Sequence, residues 1–225
     1  MAREQSAGVL QALAGIDEDV KNLTQVTAQI VQAYDGAFYG MDIYTSGAVK
    51  RALALSAGFK QQIRDFNLIC AGALVRLHLD TAIRFSAAWL VPSPHDFAVQ
   101  VLGGVQVRKV KDRDNQFMTD AYLVEKLSTD FPWVKGVYEY TCSYVHMSDT
   151  HMMSAFKVFE KDGLKRFEVV IHREDIPLPD SVYLSAIEAF RGATSILGHY
   201  LEGWLFAKSN PEVMAAVRAQ IEAAT

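Results

Sequence analysis

Only two cysteines, Cys70 and Cys142, occur among the 225 residues, with no CxxC motif and no disulfide spacing. That excludes a disulfide-stapled scaffold and fits free thiols in a reducing compartment. Uninterrupted apolar runs are also missing. The most apolar segment, Phe66 to Leu90, is broken by Arg76, Asp80 and Arg84, whereas a membrane span needs about 20 mostly apolar residues. Met1 to Val20 carries Arg3, Glu4, Asp17, Glu18 and Asp19 instead of the apolar core of a secretory signal. These absences predict a cytoplasmic protein with no membrane association. Charge of one sign is not in excess either: the formal net charge is -4. Broad non-specific binding of nucleic acid is disfavoured, while a local basic patch stays open. There is no internal repeat and no low-complexity segment.

Proline is sparse, and all six fall at boundaries between periodic segments. What lies between them reads as helix. Val20, Leu23, Val26, Ile30 and Val31 have helical spacing within Asp17 to Tyr34. Gly36 and Gly40 close that helix, and Tyr39 to Ser46 reads as an aromatic, glycine-flanked connector. A long helical region follows from Gly47 to Leu90, with Gly58 as its expected break, and Pro92 and Pro94 end it. Ser93 can cap a short helix over His95 to Leu102. Met118 to Ser128 returns to helical period, and Phe131-Pro132-Trp133 opens a further helix. Val182 to Lys208 and Pro211 to Ala224 complete the series. One stretch differs in kind. Lys161-Asp162-Gly163 separates two β-prone runs within residues 156–172, a hairpin signal. The expected fold is mainly α: a single domain over 1–225, a bundle of about six or seven helices with one inserted β-hairpin. Two strands alone are marginal in water. The hairpin must therefore pack on the helices, pair with a second chain, or cover a site.

Three groups of residues can carry chemistry. Arg76, Asp80 and Arg84 stand at i, i+4 and i+8 on the most apolar helix and can form a ladder of ion pairs. Buried charges must be paired. One aspartate cannot occupy two guanidinium groups fully, so donors remain for an anion. The second group is Tyr138 to His151, dense in Tyr, Ser and His. Ser143 and His146 are i, i+3 neighbours, but the turn of a GxSxG nucleophile is absent. His146 and His151 are five apart, without HExxH or Glu-x-x-His, so no metal site is expected, and no cofactor. His146 can exchange a proton near neutral pH, with Tyr138 and Ser143 beside it. The third group is the basic stretch Arg108, Lys109, Lys111 and Arg113, diluted by Asp112 and Asp114. It can hold a phosphate or serve as a solvated connector; Arg108 and Lys109 are its candidate ligand contacts.

An Arg followed four residues on by an acid in a central apolar helix (Arg76, Asp80), with a later helix ending in Tyr138-x-x-x-x-Ser143-x-x-His146, resembles uncharacterised bacterial helical families. These are domains of unknown function, some with HEPN-like character. The resemblance covers Phe66 to His151. It implies a homodimer with a composite site, His146 as acid/base and an arginine on phosphate of RNA or a nucleotide. The HEPN pattern places Arg a few residues before His on one helix. Here Tyr140, Thr141 and Cys142 stand there, and Arg76 or Arg84 of the facing helix would have to supply the cation. Two functions are therefore expected. One is the binding of a small anionic ligand or a macromolecule in a pocket of Arg76, Asp80, Arg84, Tyr138, Ser143 and His146. The alternative is hydrolysis of RNA or nucleotides.

Overall fold

The computed structural model describes residues 3–223. Among them are nine α-helices and one hairpin: α1 (Ala7–Gln32), α2 (Gly40–Arg64), α3 (Leu68–Ser86), α4 (Pro94–Leu102), α5 (Asp120–Asp130), α6 (Trp133–Val145), α7 (Asp149–Ser154), β1 (Phe156–Lys161), β2 (Leu164–Val169), α8 (Asp180–Lys208) and α9 (Pro211–Ala223). The mainly α bundle with an inserted hairpin is as the sequence predicts, with more helices than the expected six or seven. No helix among the described residues is long and apolar enough to cross a membrane. The expected end of the last helix at Ala224 lies outside them.

The central helix is α3, packed against α2, α5, α6 and α8. Ala71, Val75, Leu79, Ala82 and Phe85 are buried on it. The long helical region does break, but at Phe66 rather than Gly58. Phe66 takes φ 53, a left-handed conformation that costs a non-glycine residue on the order of 1–2 kcal/mol. Its ring is buried, edge-on to Tyr183 at 6.0 Å and under the Arg3 guanidinium at 3.8 Å, which offsets that cost. Asn67 then caps α3 by accepting from the Cys70 amide at 3.1 Å. Gly58 stays helical within α2, and a Cβ there would make only an ordinary contact with Leu74 at 3.6 Å.

Most of the expected connector Tyr39–Ser46 is the first turns of α2. The reason is Asp42. Its carboxylate accepts from the Tyr39 amide at 2.7 Å and caps the helix. It also accepts from Trp204 Nε1 at 2.8 Å and from Lys208 Nζ at 2.9 Å. Lys208 donates a second bond, 2.7 Å long, to the Ile30 carbonyl at the end of α1. Both Asp42 and Lys208 are fully buried, so this ion pair joins α1, α2 and α8 inside the core.

A second buried polar contact joins α3 to α8. His78 is 0% exposed, stacks on Phe190 at 4.3 Å and meets Thr194 Oγ1 through Nε2 at 2.8 Å. Thr194 already donates to the Phe190 carbonyl, which assigns the hydrogen of the Thr194–His78 contact to Nε2. His78 Nδ1 has no hydrogen-bond partner. Burial, and then the Arg51 charge, push the His78 pKa down to about 3.

The hairpin has a two-residue turn, Asp162 at φ 56 and Gly163 at φ 71, as a type I′ connection requires. The register pairs Phe156 with Val169 and Lys161 with Leu164. Every residue of both strands is exposed. Phe156, Val158, Phe167 and Val169 share one face, and no helix of the described chain covers it.

Candidate functional site

The best-formed concavity lies between α3, α6 and the first half of α8. It has a volume of about 410 Å³, within the range of small-molecule sites. Leu68, Val75, Val137, Val182, Ala186 and Ala189 make it largely apolar. The polar residues among its lining are Tyr140, Thr141, Tyr144, Ser181 and Ser185, and no charged residue lines it.

Local sequence explains its shape. Gly72 on α3 lets the Tyr144 ring of α6 lie against the helix backbone; a Cβ at Gly72 would fall 2.5 Å from Tyr144 Cγ. One turn earlier on α6, Tyr140 meets Tyr144 hydroxyl to hydroxyl at 3.1 Å, with the rings edge-on. Thr141 donates its hydroxyl back to the Val137 carbonyl at 2.6 Å. Ser181, Ser185 and Ala189 follow at four-residue steps on α8, and such small side chains leave the space open. Burial, reinforced by the Tyr140 hydroxyl, raises the Tyr144 pKa well above that of a free tyrosine. The Tyr144 phenol therefore stays protonated. One proton bridges the pair and the other is left to donate outward.

The Arg76, Asp80, Arg84 ladder forms, but its chemistry differs from the expectation. Arg84 Nε lies 2.9 Å from Asp80, and Arg76 Nη1 lies 3.8 Å from the same carboxylate. A second acid, Asp120 at the start of α5, takes Arg84 Nη2 at 2.7 Å. Arg76 stacks on Tyr138, its Cζ 3.8 Å from the ring centre. Two cations thus face two carboxylates and an aromatic ring, so the free charge expected for an anion is largely neutralised. Burial disfavours the charged Arg84, yet Asp80 and Asp120 outweigh it and its pKa is raised. Burial likewise raises Tyr138 against the pull of Arg76. Asp120 was missed from the sequence because it lies 40 residues beyond Asp80, on another helix. Beside the ladder, Tyr44, Arg51, Thr81 and Arg84 line a shallower groove between α2 and α3.

His146 does not join these residues. It is the exposed residue ending α6, and its side chain makes no hydrogen bond or ion pair to Arg76, Asp80 or Arg84. Tyr144 faces Gly72 near the start of α3, while Tyr138 faces Arg76, so the C-terminal end of α6 runs away from the ladder. Ser143 donates to the Tyr140 carbonyl at 2.7 Å, the ordinary bond of a serine within a helix. Ser148 and His151 bond to each other through Nδ1 at 3.3 Å. The one pocket expected of Arg76, Asp80, Arg84, Tyr138, Ser143 and His146 is therefore divided: Tyr138 stays with the arginines, and Ser143 and His146 do not.

The basic stretch is held as a structural loop. Arg113 donates to the carbonyls of Trp89 and Leu90 at 2.6 and 3.1 Å, closing the chain that leaves α3. Lys111 pairs with Asn115, and Arg108 with Gln106, each at 2.9 Å. Lys109 is exposed. Among the described residues no group of three or more His, Cys, Asp or Glu side chains is arranged to hold a metal ion.

Comparison of the chain with protein-family models, with curated proteins and with solved structures yields no match in any of the three.

Proposed function

We propose that the protein binds a small neutral molecule in the cavity between α3, α6 and α8. Such a ligand has an apolar body and one oxygen that engages the Tyr140–Tyr144 hydroxyl pair. The observation that carries this reading is a cavity of about 410 Å³ with an apolar lining, a single paired phenol site and no charge. An apolar body gains on the order of 25 cal/mol per Å² removed from water. A carboxylate or phosphate would lose its hydration there with no cation to replace it. Medium-chain alcohols, ketones and phenols fit that chemistry; the anionic ligand expected from Arg76 and Arg84 fits it poorly.

The test uses 1-octanol, 2-decanone and octanoate as probes, followed by thermal shift and by NMR of the full chain. Octanol or decanone should raise Tm and perturb resonances of Tyr140, Tyr144 and Ala186, while octanoate should not. Ala186→Trp, which fills the cavity, should remove both effects without lowering Tm. Equal binding of octanoate, or responses that survive Ala186→Trp, would sink the reading. RNA cleavage by the purified protein, lost in His146→Ala, would establish the hydrolase in its place.

A further inference from the structure

The hairpin bears on a different question, namely what pairs with the open edge of β2. We infer that β2 pairs with β2 of a second copy of this chain, antiparallel and centred on Phe167. The backbone fixes which registers are available. In an antiparallel pair, hydrogen-bonded and non-bonded residue pairs alternate. Val170 N donates to Ala155 O at 2.8 Å, which marks that pair as bonded. Two residues further along each time, Lys157–Glu168, Phe159–Arg166 and Lys161–Leu164 are the bonded pairs. Lys165, Phe167 and Val169 therefore turn their N–H and C=O groups away from β1, toward the open edge. β1 follows directly on α7 and packs against it, whereas the main packing partner of β2 is β1, so the edge of β2 is the more accessible one.

A second β2 must set outward-facing residues opposite outward-facing residues, or inward opposite inward. Centring on Lys165, Arg166 or Glu168 places that charged residue opposite its own copy, which is unfavourable. Centring on Phe167 does the reverse. Each Arg166 lies opposite Glu168 of the other copy, twice across the two-fold axis. Phe167 meets Phe167, and Lys165 meets Val169. The whole strand takes part, and both Phe156–Val158–Phe167–Val169 faces end on the same side. A marginal two-stranded hairpin becomes a four-stranded sheet that gathers Phe156, Val158, Phe167 and Val169 of both copies on one face, with Glu160 and Lys165 at two diagonal corners of it. Closed two-fold pairing of this kind also removes an exposed edge that would otherwise recruit chains without limit.

Light scattering on the size-excluded full chain should give twice the 25.0 kDa of one copy. Arg166→Glu sets Glu opposite Glu168, and Glu168→Arg sets Arg opposite Arg166; each protein alone should be monomeric. Mixed in equal amounts they should form a heterodimer, because each strand then offers two like charges complementary to the other's. That recovery also shows that neither variant has lost its fold. A monomeric wild type, a dimer indifferent to both substitutions, or variants that stay monomeric when mixed would overturn the inference.

Discussion

Protonation of His78 should be a main route by which acid weakens this fold. The imidazole is neutral, fully buried and stacked between helices, and its Nδ1 faces no acceptor. Adding a proton would place a charge, and a donor with nothing to receive it, inside the core. The unfolded chain protonates near 6.5 and the folded chain only near 3. Between these values the unfolded state binds more protons, so stability falls as pH drops from about 6.5 toward 3. At one pKa unit per 1.36 kcal/mol, the loss from pH 7 to pH 5 is about 2 kcal/mol, and it holds for any folded value below about 4. Urea unfolding at pH 7 and pH 5, for wild type and His78→Gln, isolates this group. Gln can still meet Thr194 and does not titrate, while the remaining groups cancel between the two proteins. Wild type should lose about 2 kcal/mol more than the variant over that interval. A difference under about 0.5 kcal/mol would refute the assignment of His78 as a buried neutral base.

Two further substitutions test the packing. Gly72→Ala drives a methyl into the Tyr144 ring and should cost about 1–3 kcal/mol in urea unfolding, part of it returned by adding Tyr144→Leu; no cost would mean that α3 and α6 are further apart than described. Lys208→Met leaves the Asp42 carboxylate buried without its cation and should cost about 3–5 kcal/mol at pH 7, with Asp42→Asn in the same chain recovering part; a loss under about 1 kcal/mol would show that water reaches Asp42.

Helical period, proline placement and the Asp-Gly turn made the bundle and the hairpin legible, because each is a local signal. The break at Phe66 was not legible. Its left-handed backbone is held by Tyr183 and Arg3, which lie far away in sequence. The start of α2 was hidden for the same reason, since Asp42 reads as a loop acid until Lys208 and Trp204 reach it. At the candidate site, i, i+4 spacing correctly joined Arg76, Asp80 and Arg84. Counting donors on one helix then suggested a free cation, because Asp120 belongs to another. The cavity itself was invisible: its makers are Gly72, Ser181, Ser185 and Ala189, residues that act by being small. A sequence displays the groups it has, and a void is made by groups it lacks.

The Asp42–Lys208 pair constrains the order in which the molecule can be made. Its two members are 166 residues apart. A ribosome adding about 5–20 residues per second needs roughly ten to thirty seconds to bring the second after the first. Throughout that time Asp42 lacks the cation and the indole N–H that let it be buried, so closing α1 and α2 over it is disfavoured. Full burial of Asp42 between α1, α2 and α8 therefore waits for the last turn of α8. The cation that completes the core thus acts as a late latch on biosynthesis, and a chain that stops before Lys208 would display its open interior to chaperones and proteases.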